Sequence, residues 1–476
     1  MIIGIDLDNT IINYQSSFER IAKLKKIKIN KKFIKKELKQ KIERISKNEW
    51  TRIQGKIYGE KIHYAKIFEN FTNFVKFSIK NKISIVIISH KTKYPILGKK
   101  RNLHTLTKKF LETKFKNNYF RINKNLFFET SIQKKIQRIK IKECDFFIDD
   151  LEDILSHKEF PKYTEGLLFN SNKSKKFNHF KNWISLIKFF DNKLKEKQAL
   201  GGKNNNCFTL KNRTIFVKEF NKNFKYELKF HEFLNRKKIK NIPKILSIST
   251  KRRVIKYVFY KNLKRKIINK SKIIKIFKFI RKINTLNYKN EKFKYAKDYC
   301  NNYSNYQLEI KRRITEHKKN YHYKNNLIYA KIINLIEKKF NELKKINYFK
   351  NDFILKKKDL ILSPCDFHLE NMIFNKKIIF LDFEYSGLDD PAKLFAVFFL
   401  QPNYNISKNI FNSSINKILF FKKNILIKER ILYLIPIIYL RWSLILMNNF
   451  SKKQLLKTSK YLTDRIDYYK SFNLKN

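Results

Sequence analysis

The sequence predicts two domains in series: an N-terminal α/β domain on a doubly wound, Rossmann-like parallel sheet with a helical cap, then an α+β domain with a small β-rich lobe and a large helical lobe. Three observations carry this expectation. At 476 residues the chain exceeds one ordinary domain of roughly 100–200 residues. Residues 1–190 alternate short β-like runs with helical stretches, as a parallel sheet requires. Past a polar stretch at 191–198, two adjacent β runs open a region that is mostly helical from about residue 262 to 476.

The strands of the first domain are expected at Ile2–Ile5, Ile83–Ile88, Phe146–Ile148 and Gly166–Phe169. Residues 14–80, rich in Lys and Ile at helical spacing, are long enough to form an inserted cap over a sheet edge. Within them Trp50–Gly59 holds two of the chain's eight glycines, either as a wall of the cap's substrate pocket or as a turn between cap helices. After Phe169, an amphipathic stretch with Phe177, Phe180, Ile184 and Ile187 on one face is expected to close the domain as a helix. The second domain begins at Ala199, with a hairpin of two β runs joined by a Lys-Asn turn in a small lobe reaching about residue 261. Further β-like pairs stand at Leu360–Leu362, Met372–Phe374 and Ile378–Leu381. Ile431–Met447, interrupted by Pro436 and Arg441, reads as a buried helix rather than a membrane span.

With 43% hydrophobic and 15% aromatic residues, the chain fits neither intrinsic disorder nor a membrane-spanning class. A net charge of +68 invites a nucleic-acid reading, because clustered cations neutralise phosphates. Lysine is instead spread along the whole length beside abundant Ile, Asn and Phe, as an AT-rich coding sequence supplies, so the charge reads as compositional and a nucleic-acid partner is not expected. Cys144, Cys207, Cys300 and Cys365 form no C-x-x-C pair, which points to neither a disulfide framework nor a zinc site. The start, MIIGIDLDNT, does not suit a signal peptide, and the cytoplasm is the expected compartment.

Asp6 and Asp8 follow the first strand directly, where open α/β sheets bind their ligands. One carboxylate there can attack phosphorus while the other transfers protons. The second strand ends in Ser89 and the third in Asp149 and Asp150, with Asp153 beyond; a parallel sheet makes the three ends converge. This arrangement resembles the haloacid dehalogenase-like superfamily of phosphatases and phosphotransferases over about residues 1–190. The resemblance implies Asp6 as nucleophile, Asp8 as general acid and then base, and Ser89 as a ligand of the phosphoryl oxygens. It also implies Lys135, or else Lys134, as their neutralising cation, and Mg²⁺ held by Asp6 and Asp149 with Asp150 or Asp153.

A second set of residues is spread over the C-terminal part. Gly201-Gly202 is a glycine pair in a glycine-poor chain, and Lys218 stands inside an apolar β run where it needs an anionic partner. Glu227 begins a helix-like stretch and could supply the partner carboxylate, with Glu232 as the alternative. Asp366 and Asn371 keep the D-x-x-x-x-N spacing of a kinase catalytic loop, and Asp382 follows the next β pair. The D-x-H-x-x-N form and the tail Asp382–Pro391 resemble the aminoglycoside and choline phosphotransferase branch of the protein-kinase-like fold, over about residues 196–476. The resemblance implies that Gly201 and Gly202 cover the phosphates of ATP or another nucleoside triphosphate. Lys218 contacts them with Glu227 steadying it, Asp366 deprotonates the acceptor, and Asn371 and Asp382 hold Mg²⁺. The family's His-Gly before the catalytic Asp is Pro364-Cys365 here, which puts the loop's backbone hydrogen bonding in question. His368 is expected to fix the loop by bonding to backbone, and Asp389 and Asp390 to cap the next helix or brace the loop.

Together the resemblances imply a bifunctional enzyme. One half would be an ATP-dependent kinase of a sugar, amino alcohol or similar small acceptor, the other a Mg²⁺-dependent phosphatase acting on a different phosphorylated small molecule. The two cannot serve the same oxygen without wasting nucleotide. Bacterial surface-polysaccharide metabolism is an expectation from the architecture alone. The competing expectation is a catalytically degenerate basic scaffold or RNA-binding protein; against it, Asp6, Asp8, Asp149, Asp366, Asn371 and Asp382 are all present in a chain with only 40 acidic residues.

Overall fold

The structure is a computed structural model that describes residues 1–28, 34–115, 124–169, 174–200, 205–261, 269–345, 354–404, 406–418, 426–448 and 450–464. Contacts divide the chain into two compact units, Met1–Glu219 with Ile245–Phe259, and Phe220–Lys244 with Tyr260–Asn476.

In the first unit, short apolar runs become the parallel strands β1 (Ile2–Ile5), β4 (Ser84–His90), β5 (Leu126–Glu129), β6 (Phe146–Asp149), β7 (Glu165–Phe169) and β8 (Asn178–Phe180), in the order β5-β4-β1-β6-β7-β8. Both faces are covered, so the central strands read as nearly continuous apolar sequence rather than alternation. Gly4 sits where a Cβ would lie 2.5 Å from the Phe147 ring, so the close approach of β1 and β6 side chains requires glycine. Two-residue strands β2 (Ile12–Asn13) and β3 (Lys66–Ile67) pair antiparallel and bracket the inserted helices Gln15–Leu24, Ile34–Glu43 and Lys47–Tyr58. Trp50–Gly59 is therefore mainly helix, with Gly59 as its C-cap, and not a turn.

Two expectations are corrected in this region. The stretch from Phe177 is not one helix: Asn178–Phe180 is the edge strand β8, and the helix runs Trp183–Leu200. Its buried face is Trp183, Leu186 and Phe190, whereas Ile184 is exposed, because the helix starts six residues later than the periodicity implied. Residues 191–198, expected as a linker, are part of that same helix.

The antiparallel sheet of β9 (Asn205–Leu210), β10 (Ile215–Phe220), β11 (Ile245–Ser249) and β12 (Val254–Val258), ordered β11-β12-β10-β9, belongs almost entirely to the first unit. Phe208, Leu210, Ile215, Val217 and Val254 join one apolar core with Ile3, Phe146 and Trp183. An ion cluster reinforces the join. The fully buried Asp145 accepts from the Ile2 amide at 2.9 Å and pairs with Arg252 at 2.7 Å and Lys256 at 3.1 Å. Burial opposes ionisation of Asp145, but Lys256 and Arg252 hold its carboxyl well below the usual carboxylate range. Asp145→Ala takes the shared carboxylate from Lys256 and from Arg252, which keeps Glu219 at 3.6 Å, and is expected to cost about 3–5 kcal/mol in a denaturant titration. Since the folded-state pKa is depressed, the stabilisation is present above the ordinary carboxylate pKa and is lost as pH falls below it.

The second unit is mostly helical, with the antiparallel pairs β13 (Ile361–Ser363) with β16 (Gly387–Asp389), and β14 (Met372–Phe374) with β15 (Ile378–Phe380). Its longest helix, Leu426–Met447, buries Ile431, Leu434, Ile435 and Ile438 in the core. By length and composition Ile427–Met447 is apolar enough to cross a membrane, yet 78% of the window is buried inside the protein.

Candidate active sites

Because β1 and β6 lie side by side and parallel, the chain leaves the sheet at the same edge at Asp6–Asp8 and at Asp149–Asp150. Lys135, on the helix Ile132–Ile141, reaches both strand ends: its Nζ donates to Asp6 Oδ1 at 2.6 Å and to Asp149 Oδ2 at 2.7 Å. Lys134, the alternative, is exposed and donates to Thr130. Asp6, Asp149 and Asp150 each place an oxygen within 4.8 Å of the others, whereas Asp153 is exposed on the next turn. An all-oxygen donor set of this kind fits Mg²⁺. Ser89, 1% exposed at the end of β4, has a hydroxyl without a hydrogen-bond partner among the described residues.

Burial raises the Asp6 pKa well above the ordinary value; Lys135 opposes this, while Asp149, Asp150 and Asp8 add to it. Burial and the neighbouring Asp149 push Asp150 up to about 7. A cation entering the cluster must displace the protons held there. Mg²⁺ affinity is therefore expected to rise as pH increases through about 7, by up to about tenfold per unit for each proton displaced, in calorimetric titrations of the protein.

Asp8 has partners the sequence reading missed. Lys91 Nζ lies 2.9 and 2.8 Å from its two oxygens, and the Tyr14 hydroxyl donates to Oδ1 at 2.7 Å. The Lys91 ammonium also sits 5.1 Å from the Tyr58 ring centroid. Burial and then the Asp8 charge raise both tyrosine pKa values, so the phenols stay protonated, and the Tyr14 hydroxyl acts as a donor. Lys91 stands two residues past Ser89, on the same face of the strand as it ends, and that Ser-x-Lys spacing was the available signal.

In the second unit, Asp366 follows β13 in a loop whose shape depends on Cys365 at φ 66°, a left-handed conformation held where the resembling family has glycine. The Cys365 amide donates to Ser363 Oγ at 2.9 Å. Asn371 Nδ2 donates to the Asp366 carbonyl at 2.9 Å and to its Oδ2 at 3.1 Å, leaving Oδ1 of Asn371 as a ligand atom. His368 does not bond to backbone as expected: its Nε2 lies 3.2 Å from Asp366 Oδ1. Burial disfavours charge on both, but their mutual attraction outweighs it, holding Asp366 below and His368 above their ordinary values. The Asp366 side chain stays 36% exposed, enough to meet an acceptor.

The hairpin β14–β15 then returns the chain: the Leu381 amide donates to the Asn371 carbonyl at 2.8 Å, placing Asp382, at φ 63°, beside Asn371 in the backbone. Glu227, buried on the helix Phe224–Arg236, accepts the Phe383 amide at 2.7 Å and so fixes the residue after Asp382. Glu232 is exposed. Lys218 is buried on β10, in the first unit. Gly201 and Gly202 lie outside the described residues. Asp390 caps the helix Pro391–Phe399 by accepting the Ala392 amide at 2.9 Å and pairs with Arg430 at 2.6 Å. Asp389 pairs with the fully buried Lys393 at 2.9 Å, which also donates to the Asp298 carbonyl at 2.7 Å and lies 3.7 Å from Cys365 Sγ. The Asp pair thus both caps the helix and braces the loop beneath Asp366.

No family model matches the sequence, and no curated protein does. Among solved structures the chain is similar to an ethanolamine kinase from Plasmodium vivax, at 18% identity over 57% of this chain and 82% of that one, with a TM-score of 0.40. It is similar to a choline kinase from Streptococcus pneumoniae at 17% identity, over 60% of this chain and 99% of that one, with a TM-score of 0.37. An ADP-bound aminoglycoside phosphotransferase gives 16% identity, 56% and 92% coverage, and a TM-score of 0.38. The chemistry available to this chain is read from its own side chains.

Proposed function

We propose that the chain is a two-site phosphoryl-transfer enzyme. The second unit is an ATP-dependent kinase of small molecules bearing a hydroxyl or amine, and the first is a Mg²⁺-dependent phosphatase of the haloacid dehalogenase type. The observation that carries the kinase reading is the closure of one loop, in which Asn371 bonds Asp366 through its side chain and Leu381, next to Asp382, through its backbone. Asp366, kept ionised by His368, accepts the acceptor's proton as its oxygen or nitrogen attacks the terminal phosphoryl group. Asn371 Oδ1 and Asp382 would hold the Mg²⁺ that neutralises phosphate charge.

In the first unit, Asp6 attacks phosphorus as Asp8 protonates the leaving alcohol oxygen; Asp8 then takes a proton from the water that hydrolyses the aspartyl phosphate, releasing phosphate and Asp6, while Lys135 and the Ser89 hydroxyl, unpartnered among the described residues, bind phosphoryl oxygens. Asp6, Asp149 and Asp150 would hold the cation. Tyr14, Tyr58 and Lys91 form the wall a phosphorylated substrate meets.

Magnesium–ATP at about 100 times its Kd is expected to raise the midpoint of thermal unfolding by about 2–4 °C, and Asp382→Ala to abolish that shift. Salt-sensitive RNA binding with no nucleotide shift in the wild-type protein would instead favour the scaffold.

A further inference from the structure

The second unit also carries a cleft of about 530 Å³ that none of the site carboxylates described above lines. One wall is the helix Lys270–Asn284, which presents Lys272, Lys275, Lys278 and Lys282; the other is the hairpin β14–β15, whose turn adds Lys376 and Lys377. The helical lysines recur at spacings of three and four, which puts them on one face. Half-buried Phe374 and Ile378 supply an apolar surface between them. Among the described residues no carboxylate lines the cleft, and neither the helix, the hairpin nor the loop 237–244 beside it contains Asp or Glu. Lys377 Nζ donates to the Lys240 carbonyl at 2.6 Å and Asn241 bonds the hairpin at Ile378 and Phe380, which fixes the hairpin to that loop, while Phe279 of the helix stacks on Phe380 with ring centroids 4.0 Å apart.

Six ammonium groups around one concavity repel each other and focus a positive potential into it. The volume is that of a small-molecule site rather than a nucleic-acid track. We infer that the cleft between the helix Lys270–Asn284 and the hairpin β14–β15 is a binding site for a small, multiply phosphorylated anion. The hairpin carries Asn371 at one end and Asp382 at the other, closed by the Leu381 amide on the Asn371 carbonyl at 2.8 Å. A ligand gripping its turn therefore bears on the two residues assigned to Mg²⁺. This coupling rests on the kinase reading, and the binding itself does not.

Inorganic tripolyphosphate, titrated calorimetrically into the full chain without magnesium, tests the site. Wild type is expected to bind, and K275Q/K278Q/K282Q to weaken binding by about tenfold or more, while the corresponding triple arginine variant retains it. K331Q/K338Q/K344Q removes the same charge from the exposed face of helix Leu327–Lys345 and is expected to leave affinity unchanged. Absence of binding, an equal loss in both glutamine variants, or a loss seen only with a single-stranded oligonucleotide overturns the inference. In kinase assays, tripolyphosphate is expected to shift the KM for magnesium–ATP in wild type and not in K275Q/K278Q/K282Q. Binding with an unchanged KM overturns the coupling and leaves the site standing.

Discussion

Asp366→Ala is expected to lower nucleotide-dependent phosphorylation by about 10³–10⁴-fold in kcat while magnesium–nucleotide binding survives. The carboxylate is both accessible and held ionised, 36% exposed with His368 at 3.2 Å. Alanine also releases the Asn371 side chain from Oδ2, so part of the loss could come from loop geometry. Asp366→Asn separates the two contributions, because an amide preserves hydrogen bonding and cannot take up the proton. An Asp366→Asn protein as impaired as Asp366→Ala, with an unchanged thermal shift on magnesium–ATP, assigns the loss to proton transfer. Intact phosphorylation in either variant would remove Asp366 from the mechanism.

Asp6→Asn is expected to reduce phosphatase turnover by about 10⁴-fold or more and leave the kinase reaction untouched. Asparagine keeps the size of the side chain at the end of β1 but offers no anionic oxygen to attack phosphorus. The substitution also takes from Lys135 one of its two carboxylates, the one at 2.6 Å, while Asp149 remains at 2.7 Å. The site thus keeps one ion pair, and folding is expected to survive, which circular dichroism and the thermal midpoint can check. A variant that loses both activities together would mean that the two reactions share a centre, against the separate clusters described here.

The strand ends were legible because they obey a local rule: a short apolar run followed by a carboxylate or hydroxyl, as at Ile2–Ile5 with Asp6 and Phe146–Ile148 with Asp149. The D-x-x-x-x-N loop was legible for the same reason, since Asp366 and Asn371 bond each other across one turn. Relations between distant segments were not. Nothing local announces that Asp145 meets Arg252 and Lys256 more than a hundred residues away, and that meeting helps attach β9–β12 to the first unit rather than to the region after residue 199. Glu227 was read as a lysine's partner, yet the structure shows it accepting the amide of Phe383, 156 residues on. β8 escaped notice because Asn178 and His179 leave it no apolar run to announce a strand. Lys91 was hidden by abundance: in a chain with 108 basic residues, the one that grips Asp8 looks like any other.

All four cysteines are buried, Cys144 and Cys207 in the first unit and Cys300 and Cys365 in the second. Burial pushes the thiols of Cys144, Cys300 and Cys365 up to about 12, so almost no thiolate exists at neutral pH while the chain stays folded. A maleimide pulse therefore reacts only with molecules that have opened, and mass spectrometry of the labelled peptides gives each unit its own clock. The protein carries this pair of opening sensors without any engineered label, and Cys365 places one of them a single residue from the candidate kinase base.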